Sequence, residues 1–362
     1  MKILFILHLP PPVHGAAIIG ENIKISTKIN NLFHTKYLNL STSKKINEIG
    51  KSPFIKFFRY LKILFSTVQL LLTFRPDIVY ITLSSSGIGF LKDSIIALIA
   101  KMFRVKIVYH FHNKGIVKYQ NRVFYNLIYK LILKNSKVIL LSKLLYSDVE
   151  KYVKLKDVFY CPNGIKDLNE ENYVRKSNST IKLLFFSNII KSKGIIDLVE
   201  ACEILLKKRI NFICNIVGNE GDLTEKELNS IIISKNLKNH MFYLGKKYDK
   251  SKIEIFNESD IFIHPTHNDC FPLVLLEAMQ FNLAIISTNE GAISEIINNN
   301  ICGLLIPKKN VILLAENIEK LISQTELRNK LGNNARIKFL ENYSLEKFED
   351  NFMRIMYEIY EN

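Results

Sequence analysis

Asp269 and Glu277 stand eight positions apart in Asp269-Cys270-Phe271-Pro272-Leu273-Val274-Leu275-Leu276-Glu277-Ala278-Met279, a segment whose middle should start a helix. Pro272 suits a first helical position, and good helix formers follow it. Because proline has no N–H, the amides of Leu273, Val274 and Leu275 become the free donors of the first turn. Ahead of them, Ile261-Phe262-Ile263 is a short apolar run ending at Pro265, which reads as a buried strand entering a loop. A strand, a loop and an open helix N-terminus make an anion site, most often for phosphate. Carboxylates beside a phosphate repel it unless they hold hydroxyl groups of a sugar or ribose. The combination suggests a nucleotide-sugar as ligand.

A cation is available for the same phosphate. Phe185-Phe186-Ser187-Asn188-Ile189-Ile190-Lys191-Ser192-Lys193-Gly194 leads from a second strand into a helix. Lys193 can set its ammonium over a diphosphate as a point charge, although taken alone such a lysine is more often a plain surface residue. Gly218 and Gly221, in Ile216-Val217-Gly218-Asn219-Glu220-Gly221-Asp222, read as a turn that approaches the nucleotide. Near the start of the chain, Pro10-Pro11-Pro12-Val13-His14-Gly15-Ala16-Ala17 gives a stiff loop and then small residues opening a helix. Gly15 and Ala16 would let backbone approach a phosphate, and a plain tight turn explains them as well. In Val108-Tyr109-His110-Phe111-His112-Asn113 the two histidines share a strand face. They lack a nearby acidic or Cys partner for a metal; a histidine at a strand's C-terminal end can instead hydrogen-bond a sugar. A core position suits His110 better than His112. No Asp-x-Asp pair is present to carry a divalent ion with a diphosphate, so leaving-group charge falls to Lys193 and the helix N-terminus, and no metal or other cofactor is expected.

These residues sit at the ends of short apolar runs, which must position them. Candidate strands are 2–7, 78–83, 106–111, 137–141, 157–160, 181–187, 211–217, 240–244, 260–264, 283–287 and 303–306, alternating with helical patterns. This order predicts an α/β protein with two open, mostly parallel sheets and helices on both faces. Ligands bind beyond the C-terminal ends of such strands, so two facing domains would place the site in a cleft between them. The polar stretch Lys166 to Thr180 is the expected linker, giving domains over 1–170 and 171–343. A last helix over 344–362 carries Phe348, Phe352, Ile355, Met356 and Ile359 at helical spacing and must pack on something.

The 362 residues suffice for two such domains. Five cysteines, at 161, 202, 214, 270 and 302, are scattered and show no C-x-x-C spacing. That argues against a disulfide framework or zinc site and for a reducing compartment. The opening MKILFILHLPPP superficially resembles a signal peptide, but its apolar run is short, ends in prolines and lacks a cleavage site, so it reads as the first buried strand. Net charge is +16 and unevenly placed: residues 1–165 hold 25 Lys/Arg against 7 Asp/Glu, or +18, and residues 166–362 hold 25 against 27, or −2. The asymmetry points to nucleic acid, anionic lipid headgroups or a diphosphate-bearing acceptor, with a merely solvated basic surface as the alternative. Between 53 and 75, Lys56, Arg59, Lys62, Ser66, Gln69 and Thr73 fall within one helical arc of roughly 140°, and apolar residues cover the rest. Such a helix lies in a membrane interface or in a core. No stretch reaches the ~20 uncharged residues of a membrane span, and Lys92, Asp93 and Lys101 interrupt 88–103. A soluble or peripheral protein is expected.

Taken in order, these pieces resemble the family-4 glycosyltransferases of the GT-B fold. The resemblance runs from the first strand and the Gly15 loop through Cys161-Pro162-Asn163-Gly164-Ile165, the Ser187–Gly194 loop, the Gly218 turn, Tyr243-Leu244-Gly245-Lys246-Lys247 and the Asp269–Met279 segment. It continues with Ser287 to Ile297 and Gly303 to Pro307, covering nearly the whole chain. It implies two Rossmann-like doubly wound domains facing a cleft, the first taking the acceptor and the second the nucleotide-sugar. The implied activity is retaining, metal-independent glycosyl transfer from a nucleotide-diphosphate sugar. Glu277 would bind ribose hydroxyls and Asp269 a donor-sugar hydroxyl. The Leu273 and Val274 amides with Lys193 would hold the diphosphate, Gly15 would approach it from the other domain, and His112 would lie near the transferred sugar. His112, Lys193 and Asp269 form the implied catalytic set, and the final helix would cross back onto the N-terminal domain. The acceptor implied is a lipid-linked saccharide in bacterial surface polysaccharide synthesis, met in the cytoplasm at the anionic inner face of the cell membrane. A small soluble acceptor is the variant within the family; a non-catalytic membrane or nucleic-acid binding module on the same fold is the alternative outside it. Nucleic acid is not expected, since a polyanion gains nothing from Asp269 and Glu277 beside a phosphate site. Two departures stand out: Asp269 replaces the usual Glu, retreating the carboxylate by about 1.5 Å, and Asn188 replaces the usual Arg, leaving Lys191 to compensate.

Overall fold

The computed structural model describes residues 1–11, 13–41, 53–169 and 180–361. Two compact units divide the chain, Met1–Gly164 with Leu345–Asn362, and Ile165–Ser344. In the first, β1 (Lys2–Leu7), β2 (His34–Asn39), β3 (Ile78–Thr82), β4 (Lys106–Phe111), β5 (Lys137–Leu140) and β6 (Val158–Tyr160) form one parallel sheet in the order β2-β1-β3-β4-β5-β6. In the second, β7 (Ile181–Phe186), β8 (Phe212–Val217), β9 (Met241–Tyr243), β10 (Ile261–His264), β11 (Ala284–Thr288) and β12 (Leu304–Ile306) form another, in the order β12-β11-β10-β7-β8-β9. The α/β architecture expected from the alternation is therefore present twice.

Parallel strands covered on both faces read as continuous apolar runs, and this made eleven of the twelve legible. β2 was missed. It is an edge strand, paired only with β1 from Lys2↔His34 to Leu7↔Asn39, and none of its residues is fully buried. His34-Thr35-Lys36-Tyr37-Leu38-Asn39 accordingly carries no apolar run.

Right-handed crossovers place the helices. Pro53–Phe74, Gly87–Met102 and Val123–Leu133 pack side by side on one face of the first sheet, with Gly87–Met102 in the middle. Gly15–Ile25 lies on the other face. The closing helix Leu345–Glu361 belongs to the same unit, with Phe348, Phe352, Ile355, Met356 and Ile359 all buried. Phe352 packs against Phe5 and Tyr80 at ring separations of 6.2 and 5.4 Å. By length and composition alone Phe54–Phe74 could cross a membrane, although Lys56, Arg59 and Lys62 interrupt it and leave it short of the uncharged stretch a span was expected to need. Its buried residues Ile63, Thr67, Leu71 and Phe74 nonetheless seat it in this unit.

The polar stretch beginning at Lys166 is not all linker. Asp167 makes a bidentate ion pair with Arg336 at 2.7 and 2.6 Å, and Asn169 donates to the Gln280 carbonyl at 2.9 Å. The polarity of residues 165–169 thus serves hydrogen bonds inside the second unit; the rest of the stretch, 170–179, lies outside the described residues. All five cysteines are free and buried.

Each sheet has one point where strand order reverses, between β1 and β3 in the first and between β7 and β10 in the second. In doubly wound sheets ligands bind beyond the carboxyl ends at such a switch point.

Candidate active site

The loops leaving β7 and β10 meet at the second switch point. The His267 amide donates to the Ser192 carbonyl at 2.8 Å, and His267 Nε2 lies 2.7 Å from Asp197 Oδ2. Gly194 makes the approach possible. Its φ is +79°, and a Cβ there would sit 2.0 Å from the Pro265 oxygen. With the loops this close, Lys193 Nζ reaches Asp269 Oδ2 at 2.7 Å and the Asn268 carbonyl at 3.4 Å. Two residues singled out 76 positions apart are thereby brought into contact.

His264, the last residue of β10, completes the group. It is buried, its Nε2 lies 3.0 Å from Asp269 Oδ2, and its buried Nδ1 has no hydrogen-bond partner among the described residues. Burial pulls the Asp269 carboxyl up, but His264 and then Lys193 pull it down harder, to about 2. Asp269 is therefore a carboxylate at neutral pH. A carboxylate has about four lone-pair sites. Oδ2 uses two on His264 and Lys193, and Oδ1 uses one on the Cys270 amide at 3.2 Å. One remains for a hydroxyl.

The helix behind this carboxylate runs Leu273–Gln280, one residue later than the sequence suggested. Pro272 is its cap, with φ −71° and an extended ψ of 114°, because the fixed ring angle suits a cap as well as a first turn. The Pro272 carbonyl accepts the Leu275 amide at 3.1 Å, so Leu275 is no free donor. The Leu273 and Val274 amides donate to no partner among the described residues. Glu277, one turn on, is held by Lys252 Nζ at 2.5 Å, and that ammonium also lies 5.5 Å from the centre of the Phe186 ring. Sequence reasoning missed Lys252. Four lysines fall between Lys246 and Lys252, and nothing local singles out the last. His264 was missed too, although its place at a strand's C-terminal end was the signal that had drawn attention to His112.

Other expected ligand residues have structural duties. Asn188 Oδ1 accepts from the Asn219 amide at 3.2 Å and braces two loops. A Cβ on Gly218, at φ +158°, would lie 2.0 Å from the Ser187 oxygen, and one on Gly221 would lie 2.8 Å from that of Ile189. Loop packing is therefore a sufficient reason for glycine at both positions. Lys191 is exposed, its amide held by Asp222 at 2.8 Å.

In the first unit, Gly15 is exposed and opens the helix Gly15–Ile25, behind His14, whose Nδ1 accepts the Ala17 amide at 3.3 Å. His112 follows β4, and both its ring nitrogens are buried without a hydrogen-bond partner among the described residues. Burial, then the neighbouring His8, lowers its pKa to about 3; Asn163 favours the charged form weakly, although no hydrogen bond joins them. His112 is a neutral ring with two unused polar atoms. His110, beside it at a ring separation of 4.1 Å, is fully buried with Nδ1 2.6 Å from the Tyr80 hydroxyl, the core role expected of it. His8 and Asn163 were missed. His8 leaves β1 at the first switch point, its amide donating to Thr82 Oγ1 at 2.9 Å, and Asn163 presents a buried Oδ1 with no partner among the described residues.

Comparison with known proteins places the fold and part of the sequence. Residues 166–338 match the family model for group 1 glycosyl transferases. The chain is 30% identical over 175 residues to the capsular polysaccharide biosynthesis glycosyltransferase CapM of Staphylococcus aureus, an alignment covering 48% of this chain and less than half, 44%, of that relative. A solved glycosyltransferase of Rickettsia africae superposes over 100% of this chain and 99% of its own, with a TM-score of 0.76 and 20% identity. HepE of Anabaena, solved in complex with UDP, does so over 99% and 100%, with a TM-score of 0.75 and 17% identity. At these identities the structural likenesses concern the fold. Residues 166–338 thus match a group 1 glycosyl transferase domain, and the whole chain shares the GT-B fold of these solved glycosyltransferases.

Proposed function

We propose that the protein transfers a sugar, with retention, from a nucleoside-diphosphate sugar to a lipid-linked saccharide in surface polysaccharide synthesis. The observation that carries the donor half is the convergence of Lys193, His264 and Asp269 at the switch point, beside the free Leu273 and Val274 amides. Glu277 takes the ribose hydroxyls, with Lys252 holding its carboxylate in place. Asp269 uses its remaining lone-pair site for a hydroxyl of the donor sugar. Lys193 turns from Asp269 to the diphosphate when the donor binds, which frees a second site on the carboxylate. The UDP in HepE and the capsular role in CapM's name support the donor class and the pathway.

In this reading no side chain acts as nucleophile. The bond from the anomeric carbon to the diphosphate oxygen breaks, the acceptor oxygen bonds on the same face, and its proton passes to the departing phosphate oxygen. Positioning and electrostatics then carry the rate. Lys193 and the two amides take the leaving-group charge, so no metal is required. In this reading Gly15 and His112 of the first unit also contact substrate, His112 as a neutral hydrogen-bonding group for a sugar hydroxyl.

Calorimetric titration of a nucleotide-sugar panel tests the assignment. Donor binding should be tight, unaffected by EDTA, and weakened about tenfold or more by Lys193→Ala or Glu277→Ala, each removing a charge-assisted contact. Unchanged affinity in both variants, with no donor hydrolysed by the parent protein, would overturn the enzyme reading and favour a binding module.

A further inference from the structure

The helix layer Pro53–Phe74, Gly87–Met102 and Val123–Leu133 carries apolar residues on both its sides. On Pro53–Phe74, the exposed Phe54, Phe57, Phe58, Leu61, Phe65 and Leu72 fall within an arc of about 100°. The buried Ile63, Thr67, Leu71 and Phe74 lie on the far side of the same helix. Phe54 is 79% exposed and Phe65 70%. The middle helix continues the surface with Ile88, Ile95 and Met102, exposed at a spacing of seven. Val123, Phe124, Leu127 and Leu131 extend it on the third helix, where Val123 is 85% exposed. Three adjacent helices thus present large apolar side chains to solvent, which single scattered exposures do not explain.

Charge decides the occupant. The exposed Lys62 flanks the stripe on the first helix, and Arg122 and Lys130, also exposed, flank it on the third. They lie in the half of the sequence that carries +18. A second copy of this chain would bring like charge against like charge, whereas an anionic bilayer complements it. Crossing the bilayer would pull Ile63, Thr67, Leu71 and Phe74 out of the first unit.

We propose that this three-helix face docks the protein on the surface of an anionic lipid bilayer, with the aromatic stripe of Pro53–Phe74 lying in the headgroup–acyl boundary and the flanking lysines and arginines on the headgroups. The proposal rests on the reading above only in that a lipid-linked acceptor would be met at such a surface.

Co-sedimentation of the full chain with phosphatidylcholine vesicles, and with vesicles containing about one-third phosphatidylglycerol, tests it. The parent protein should pellet with the anionic vesicles and far less with the neutral ones. The triple variant Phe57→Ser, Phe58→Ser, Phe65→Ser should bind about tenfold or more weakly, and so should the double variant Phe124→Ser, Leu127→Ser. Ile312→Ser, which alters an exposed apolar residue of the second unit, should match the parent. Parent protein that ignores anionic vesicles, variants that pellet unchanged, or variants that alter only self-association in light scattering would each overturn the proposal. UDP binding measured without vesicles reports separately on the donor site, so either reading can fall while the other stands.

Discussion

At the scale of the residue, the least expected participant is His264. Its hydrogen bond holds Asp269 ionised in a place where burial alone would raise the carboxyl. Because Asp269 is depressed to about 2, its electrostatic contribution is complete above the unfolded value near 3.9 and is lost only as pH falls through about 2. Replacing His264 with Leu removes the strongest opposing effect and leaves the burial, so the carboxyl must titrate higher. The acid limb of kcat/KM should then move to higher pH, with several-fold more activity lost at pH ~5 than in the parent, while UDP, which lacks the sugar, binds as before. His264→Gln, whose amide N–H can replace Nε2–H, should restore most of the profile. Superimposable pH profiles for the parent and His264→Leu would show that the histidine is only packing. The shortened Asp269 fits the same argument: a Glu would carry its oxygens about 1.5 Å past the hydrogen bond that His264 now makes.

At the scale of the element, what was legible followed from burial. Ile261–Ile263, the prolines around it and the helix formers after Pro272 announced a strand, a loop and a helix, and all three are there. The edge strand β2 was silent because only a covered strand needs an apolar run. Lys252 was silent for another reason. Its contact with Glu277 depends on how the helix Asp249–Asn257 lies near Leu273–Gln280, and no local pattern encodes that. The pairing of Lys193 with Asp269 likewise depends on β7 and β10 being neighbours, a property of strand order. The contact of their two loops is fragile at one point. Gly194→Ala would set a methyl 2.0 Å from the Pro265 oxygen in a left-handed backbone, so one of the loops must retreat. A loss of about 1–3 kcal/mol is expected, read as a fall of roughly 2–12 °C in the melting temperature. Gly245→Ala is the control, sharing the left-handed φ, at +64°, with nothing within 4 Å. Equal melting temperatures for the two variants would show that backbone strain, not the loop contact, sets the cost.

At the scale of the whole molecule, charge and chemistry are divided between the halves of the sequence. The +18 belongs to residues 1–165, and the Lys193, Asp269 and Glu277 group belongs to a half that is nearly neutral at −2. Salt should therefore act on the two activities differently. The Debye length shrinks from about 10 Å at 0.1 M to about 3 Å at 1 M, which removes most of the attraction between exposed lysines and a headgroup layer. Each such side chain contributes about 1 kcal/mol near an anionic surface, so several acting together make vesicle binding steeply salt-dependent. The contacts proposed for the donor are partly buried and short-ranged: Lys193 lies 2.7 Å from its present partner with both side chains mostly covered. Salt screens such contacts much less. Raising ionic strength from about 0.1 to 1 M should lower vesicle binding by roughly tenfold or more and UDP affinity by only a few-fold. The two measurements can be made on one preparation. Parallel losses would mean that the basic half contributes to holding the nucleotide. Vesicle binding that survives salt would mean that the apolar stripe holds the membrane without help from the charges around it.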